Sequence, residues 1–342
     1  MVRSRKKLSK NISIEDVARA AGVSISTVSR VINKSPSVKV DNRVSVLEAV
    51  KKLKFQPSVL AQRLATGRTN VVTLVIPRYE GIFYSYYALE LIKGIGTLCE
   101  VLKLDLLLHL TDGHSPLNVK GVGGVIFADV IGNGHQLEEV LDSEVPVIVI
   151  NHYVEDNEVS CISVDNVGGA ESAVNYLVGL GHRKIAHITG DLISQAATQR
   201  LEGYKRALAK NNIELEQEYI IPTDYSRGQA RSAAEKLIKM PHPPTAVFVA
   251  SDSMALEVMA FAREHGVKIP ADLSIVGFDD NPSGLYGPVA LTTVRQPFIK
   301  MAQDSVKELA LLMSRVKNVP IRKVVLPAEL VIRESCQFLE HS

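Results

Sequence analysis

The stretch SIEDVARAAGVSISTVSRVIN, Ser13 to Asn33, decides how the chain is read. Ile14, Val17, Ala18 and Ala21 recur at i, i+3, i+4 and i+7, one apolar face of a helix. Ser13 is placed to cap that helix, with Asp16 three residues on to answer the cap and the helix dipole. Gly22 suits the left-handed conformation that ends a helix, and Val23 returns to the core. Ser24 is placed to cap a second helix, in which Val28, Val31 and Ile32 face inward. Ser26, Ser29, Arg30 and Asn33 share the opposite face. Such a face suits a DNA major groove, because Arg offers a two-pronged donor to guanine while Ser and Asn bond bases or phosphates. Taken alone, the same residues also describe a small helical hairpin with a solvated polar face.

Downstream, Asp41 is expected to cap a third helix, Asn42 to Lys54, with Val46, Leu47, Val50 and Leu53 facing inward. Three short helices bury little apolar surface and make a marginal domain. Pro57 ends it. Ser58 to Thr66, closed by Gly67, has the pattern of one helix of about nine residues, too short to be stable alone in water. It reads either as a hinge that orders with DNA and a second subunit, Leu64 entering the minor groove as an apolar wedge, or as an ordinary linker.

Charge separates this head from the rest. Residues 1–68 hold 15 Lys/Arg against 4 Asp/Glu, a net of +11, whereas the remaining 274 hold 24 against 33, a net of −9. A basic head on an acidic body is the footprint of a polyanion partner. A disordered basic tail at 3–10 accounts for only 5 of the 15 positive charges. The 342 residues predict two or three domains and show no internal repeat. Cys99, Cys161 and Cys336 form neither a disulfide framework nor a metal spacing, which favours a reducing cytosol. No apolar segment follows the basic N-terminus as in a signal peptide, and no run of 18 apolar residues predicts a membrane span.

From Val71 the pattern changes to alternating strands and helices. Strands are expected at 71–76, 104–110, 123–128, 146–151, 161–164, 185–189, 218–221, 246–250, 274–278 and 292–295. Helices are expected near 86–102, 135–142, 166–180, 198–211, 227–240, 253–265 and 298–316. This alternation predicts an α/β core of two parallel sheets wrapped by helices, with ligands bound beyond the carboxyl ends of the strands.

The chain resembles the lactose-repressor type (LacI/GalR) of bacterial transcription regulators. The carrying motifs are DVARAAGVSISTVSRVIN, PSVLAQRLATG, GHRKIAHITG, RLEGYKRAL, PTAVFVASDSMA, IPADLSIVGFDD and LTTVRQP, in the family's order from Ser13 to about Arg333. The resemblance implies a helix-turn-helix headpiece over 1–56 and a hinge helix with linker over 57–69. It further implies a two-lobed core like periplasmic sugar-binding proteins, with an N-terminal lobe of 70–163 with 296–323 and a C-terminal lobe of 164–295 with 324–342. The chain is expected to cross between lobes near 164, 293 and 324. A homodimer on a pseudo-palindromic double-stranded operator in the bacterial cytoplasm follows, with a small-molecule effector, a sugar or sugar derivative, in the cleft and no cofactor or metal. No tetramerising tail follows Arg333, so a dimer is expected.

Residue by residue, the resemblance implies that Ile25, Ser26 and Arg30 choose bases, and that Thr27, Ser29 and Asn33 bond phosphates. Ala61 and Leu64 match hinge residues of the minor groove. In the cleft it implies effector contacts from Asp279 and Arg200, a ring-stacking Tyr225, and a shorter polar contact from Ser251. Asn151, His152 and Ser194 lie at strand ends or in the same loops. His152 equally suits a structural role, and Arg200 a surface helix. Tyr86 and Tyr87 belong to a tyrosine-rich segment, 77–93, longer than the family's usual entry into the first core helix; they either line the cleft or pack the lobe edge. A second departure is TDGHSPLNVKGVG, 111–123, too short and too rich in Gly and Pro for the helix that relatives place there.

Two other classes compete. A periplasmic binding protein shares the core but has no use for the basic head, and an enzyme would need a nucleophile elbow, phosphate loop or metal cluster that the sequence lacks.

Overall fold

The computed structural model describes residues 12–32, 37–53, 55, 69–78, 82, 85–155, 159–314 and 319–339. Asn33, Ala61 and Leu64, and nearly all of the expected hinge, lie outside them. The chain divides into two compact units, Met1–Thr69 and Asn70–Ser342.

In the first unit, α1 spans Ile14–Ala21, α2 Ile25–Ile32 and α3 Val40–Leu53. Ser13 Oγ accepts from Asp16 N at 3.3 Å and Asp16 Oδ2 accepts from Ser13 N at 3.0 Å, a reciprocal cap that satisfies two otherwise orphaned donors. Gly22 ends α1 at φ 67°. Ser24 Oγ accepts from Thr27 N at 3.2 Å at the start of α2. Val17, Ala18, Val28, Val31, Val46 and Ala49 form the core. Two expectations change. The third helix starts at Val40, so Asp41 sits within its first turn, where its charge still opposes the helix dipole. Leu47 is exposed and Ala49 is buried instead, because the inward stripe runs through 46, 49, 50 and 53 and Leu47 lies a further 100° round from Val46.

The second unit holds two six-stranded sheets. The first contains β1 (Val71–Pro77), β2 (Asp105–Thr111), β3 (Gly124–Ala128), β4 (Val147–Ile150), β5 (Ser160–Val164) and β11 (Lys323–Leu326), in the order β11-β5-β4-β3-β1-β2, all parallel. The second contains β6 (Ile185–Ile188), β7 (Ile220–Ile221), β8 (Ala246–Val249), β9 (Ser274–Asp279), β10 (Thr292–Arg295) and β12 (Glu329–Val331), in the order β12-β10-β9-β8-β6-β7. Only β12 is antiparallel to its neighbour. Central strands buried on both faces explain the near-continuous Val/Ile runs.

Helices cover both faces. In the N-terminal lobe α4 (Tyr86–Leu102) and α10 (Phe298–Met313) close one side, and α5 (Gly134–Asp142) the other. In the C-terminal lobe α6 (Asn166–Gly179) and α7 (Gln195–Lys210) face one side, and α8 (Arg227–Ile238) and α9 (Asp252–Glu264) the other. The chain passes between sheets after Val164, after Arg295 and between Leu326 and Glu329, the last somewhat beyond the expected 324. No helix forms between β2 and β3. The connection crosses β1 as an irregular segment whose Leu117, Val119 and Val122 pack on Val75, Val125 and Phe127, partly replacing the missing helix. The expected strand 218–221 is a 3-10 turn over Gln217–Tyr219 followed by the two residues of β7. No helix among the described residues is long and apolar enough to cross a membrane.

Candidate functional site: the headpiece helix and the cleft between the lobes

On α2, Val28 and Val31 are buried, while Ile25 is 47% exposed and Ser26 and Arg30 are exposed beside it. Thr27 and Ser29 are half-buried at the flanks. Ser24 Oγ lies 2.9 Å from both Ser26 Oγ and Thr27 Oγ1, so the hydroxyls at the helix start are mutually oriented. The helix therefore offers an apolar side chain, a hydroxyl and a guanidinium on one outward face.

In the core, the carboxyl ends of both sheets meet at a cleft. Tyr225, at φ 66° beyond β7, sets the hydroxyl end of its ring against Gly190, just beyond β6; a Cβ on Gly190 would stand 1.9 Å from the ring's Cζ. Only a glycine permits that close approach. The Tyr225 phenol is raised by burial, lowered by Arg200 and the adjacent Ser194 hydroxyl, and raised again by Asp279 and Asp129. One side chain thus feels charges from both lobes.

Arg200, on α7, is 4% exposed. Its Nε donates to Asn166 Oδ1 at 2.9 Å and a terminal nitrogen to Ala250 O at 2.5 Å, and its guanidinium stacks 3.9 Å from the Phe278 ring centroid. It is a buried cation, not a surface arginine. Asp279 ends β9 at φ 130°, and its Oδ1 accepts from Gln296 Nε2 at 2.6 Å. Burial raises its carboxyl to about 6, against the pull of Arg200 and Gln296. Beside it Asp252, at the start of α9, accepts from Thr293 Oγ1 at 2.6 Å and from Asn281 N at 2.7 Å. Burial and the Asp279 charge raise Asp252 to about 7. Asp280, by contrast, is bound by Arg295 and Arg333, which lower it.

The opposite lobe presents Asp129, Asn151 and His152 beyond β3 and β4. Asn151 Nδ2 donates to Asp129 Oδ2 at 2.9 Å, and His152 Nδ1 lies 3.4 Å from Asp129 Oδ1. Tyr86 and Tyr87 meet the Phe298 ring edge-on, with centroids 5.9 and 5.3 Å away. Both pack the lobe edge, yet Tyr86 is pushed up to about 12 by burial and then by Glu90, Asp280, Asp279 and Asp252, so it also faces the carboxylates of the other lobe.

Ser194 and Ser251 turn out to be helix caps: Ser194 Oγ accepts from Ala197 N at 3.2 Å, which starts α7 at 195 and not 198, and Ser251 Oγ accepts from Met254 N at 3.3 Å. Asp129, Asp252 and Gln296 escaped the sequence reading. Asp129 and Asp252 follow expected strands and Gln296 stands in LTTVRQP, so the strand-end rule carried a signal for all three.

Residues 13–58 match the family model for bacterial regulatory proteins, lacI family. Residues 174–336 match the periplasmic binding protein-like domain. Over 336 residues the chain is 33% identical to catabolite control protein A of Priestia megaterium, covering 95% of this chain and 99% of that protein. The chain belongs to the lacI family of bacterial regulatory proteins. A second relative, the HTH-type transcriptional regulator DegA of Bacillus subtilis, is 34% identical over 334 residues, with coverage of 94% and 97%. Among solved structures, the lac repressor dimer bound to operator and the anti-inducer ONPF is similar with TM-score 0.82 at 26% identity, covering 96% of this chain and 100% of that one. The transcriptional regulator CelR–cellobiose complex gives TM-score 0.72 at 27% identity, covering 95% and 99%. This LacI-family chain is a DNA-binding transcriptional regulator with a ligand-binding core of the periplasmic type, and not an enzyme.

Proposed function

We propose that the protein acts in the bacterial cytoplasm as a homodimeric repressor on a pseudo-palindromic operator, and that a sugar or sugar derivative bound between the lobes sets its DNA affinity. The observation that carries the effector reading is that the Tyr225 phenol, bonded to Ser194, feels the charges of Arg200 and Asp279 from one lobe and of Asp129 from the other. A ligand touching both lobes changes their relative stability in the open and closed arrangements, and through the segment 57–69 it changes operator affinity by the difference in its affinity for the two states. Ile25, Ser26 and Arg30 read bases, and Thr27, Ser29 and Asn33 bond phosphates. The basic head supplies the salt-dependent share of affinity. Effector contacts come from Tyr86, Asn151, His152, Arg200, Tyr225 and Asp279, with Tyr87, Ser194 and Ser251 supporting their neighbours. The solved relatives with operator, anti-inducer and cellobiose bound agree with this reading.

Selection of bound sequences from random DNA at physiological salt, repeated with a panel of sugars and nucleosides, tests it. The expected result is a palindrome whose retention changes with one class of compound. Sequence-independent, salt-sensitive binding that no compound alters overturns it.

A further inference from the structure

The same small device occurs twice near the strand ends: a carboxamide that donates to a carboxylate. In the N-terminal lobe, Asn151 gives its amide N–H to Asp129, and its own Oδ1 is buried without a donor. Where the chain leaves the second sheet after Arg295, Gln296 gives its amide N–H to Asp279 of the C-terminal lobe, and its own Oε1 is buried without a donor. Asn151 is 8% exposed, Gln296 6% and Asp129 5%. The orientation of both amides is fixed by chemistry: flipping either would set a carbonyl oxygen against a carboxylate. What remains at each pair is a carboxamide oxygen that accepts hydrogen bonds and lacks a donor, beside a carboxylate that already accepts the amide N–H and, at Asp129, the Val130 N–H at 2.8 Å. A buried acceptor left unsatisfied costs free energy that a donor on a ligand would recover.

The charge balance points the same way. Among the described residues whose charges act on Tyr225 and Tyr86, the acids are Glu90, Asp129, Asp252, Asp279 and Asp280, and the cation is Arg200. Asp280 is neutralised by Arg295 and Arg333. Arg200 is largely committed: Asn166 and Ala250 take two of its three nitrogens and Phe278 its face, which leaves one terminal nitrogen for a ligand. An anionic ligand group would therefore meet carboxylates with little cation to spare. Asp252 and Asp279, held above the ordinary carboxylate range by burial, would gain from a cation.

We infer that the cleft selects a small polyhydroxylated ligand bearing an ammonium group, an amino-sugar class of compound, held between the Asp129–Asn151 and Asp279–Gln296 pairs, over its phosphorylated or carboxylated counterpart. The inference rests on the cleft being the effector site. Its hydroxyls donate to the two carboxamide oxygens and its ammonium pairs with a carboxylate; Tyr225 supplies the platform for the ring.

The full chain is titrated calorimetrically at pH 8. Matched sets of common hexoses and pentoses are used, each as the neutral sugar, the amino sugar, the sugar phosphate and the sugar acid. In at least one set the amino sugar is expected to bind at least tenfold more tightly than the neutral parent, and the phosphate and acid more weakly than both. Asp129→Asn, with its fold checked by circular dichroism, is expected to reduce the amine-over-neutral ratio at least threefold, and Asp279→Asn serves as the second variant. Tightest binding of a phosphate or acid overturns the inference, as does equal binding of amine and parent, no binding in any set, or an undiminished ratio in both variants. Operator binding is followed in parallel: a phosphate that alters it would sink the amine preference while leaving effector control of the operator standing.

Discussion

The side-chain amide of Gln195 brackets the backbone of Tyr153: Tyr153 N donates to Gln195 Oε1 at 2.7 Å, and Gln195 Nε2 donates to Tyr153 O at 3.0 Å. Tyr153 follows β4 in the N-terminal lobe, and Gln195 opens α7 in the C-terminal lobe. One amide thus ties the lobes together as a strand neighbour would. Two such bonds are worth about 1–3 kcal/mol together. Gln195→Ala is expected to lose them, expose the Tyr153 amide to faster hydrogen exchange and bias the lobes toward the open arrangement. Unchanged exchange at Tyr153 would show that the clasp contributes nothing in solution.

Much of this architecture was legible beforehand. The helix Tyr86–Leu102 and the strand Val147–Ile150 fall where periodicity placed them, because an amphipathic stripe and a double-faced apolar run each have one way to be buried. β11 and β12 were not foreseen. KVVL and ELV are short and lie at sheet edges, half-exposed, so neither shows a continuous buried run. In the cleft, Ser194 and Ser251 stand both after a strand and at the start of a helix, so sequence position alone cannot separate a cap from a ligand contact. The Gln195–Tyr153 clasp left no trace in the sequence, since it uses the backbone of one partner.

Gly277, in GFDD, has a specific reason to be glycine. A Cβ there would lie 2.1 Å from Asp252 Oδ1 and 3.0 Å from Leu291 Cδ2. Gly277→Ala must displace the carboxylate from Thr293 and Asn281, and is expected to cost about 1–3 kcal/mol as overpacking, read as a lower Tm. Gly96→Ala is the control. It sits within α4, its Cβ would meet nothing closer than 3.9 Å, and relief of helix glycine should stabilise by up to about 1 kcal/mol. Equal effects of the two substitutions would contradict the packing argument.

The raised carboxyls of Asp252 and Asp279 give an unusual pH dependence. Both are held above their unfolded values, so the folded chain binds more protons than the unfolded one between the ordinary carboxylate range and about pH 6–7. Their contribution to stability is therefore greatest on the acid side of that window and falls as pH rises through it. Other groups, such as Asp304, lowered by Lys300 and Lys307, run the opposite way. The difference between wild type and variant is the clean readout. Asp279→Asn is expected to gain Tm relative to wild type as pH goes from 5 to 8, in the absence of ligand. A constant difference across that range would mean that the pair does not titrate there.

Arg30 separates base reading from charge. It stands exposed on α2 beside Ile25 and Ser26, one of 15 Lys/Arg among the first 68 residues. If it serves only as one more positive charge, Arg30→Ala weakens binding to every DNA alike and lowers the salt slope by about one counterion. If it donates to a guanine edge, the loss is about 1–3 kcal/mol on the selected operator, small on random DNA, and confined to one base position when single-base operator variants are compared. The latter is expected, because Val28 and Val31 anchor the opposite face of the helix in the headpiece core and so fix the direction of the Arg30 side chain. Equal losses on operator and random DNA would assign Arg30 to the phosphates.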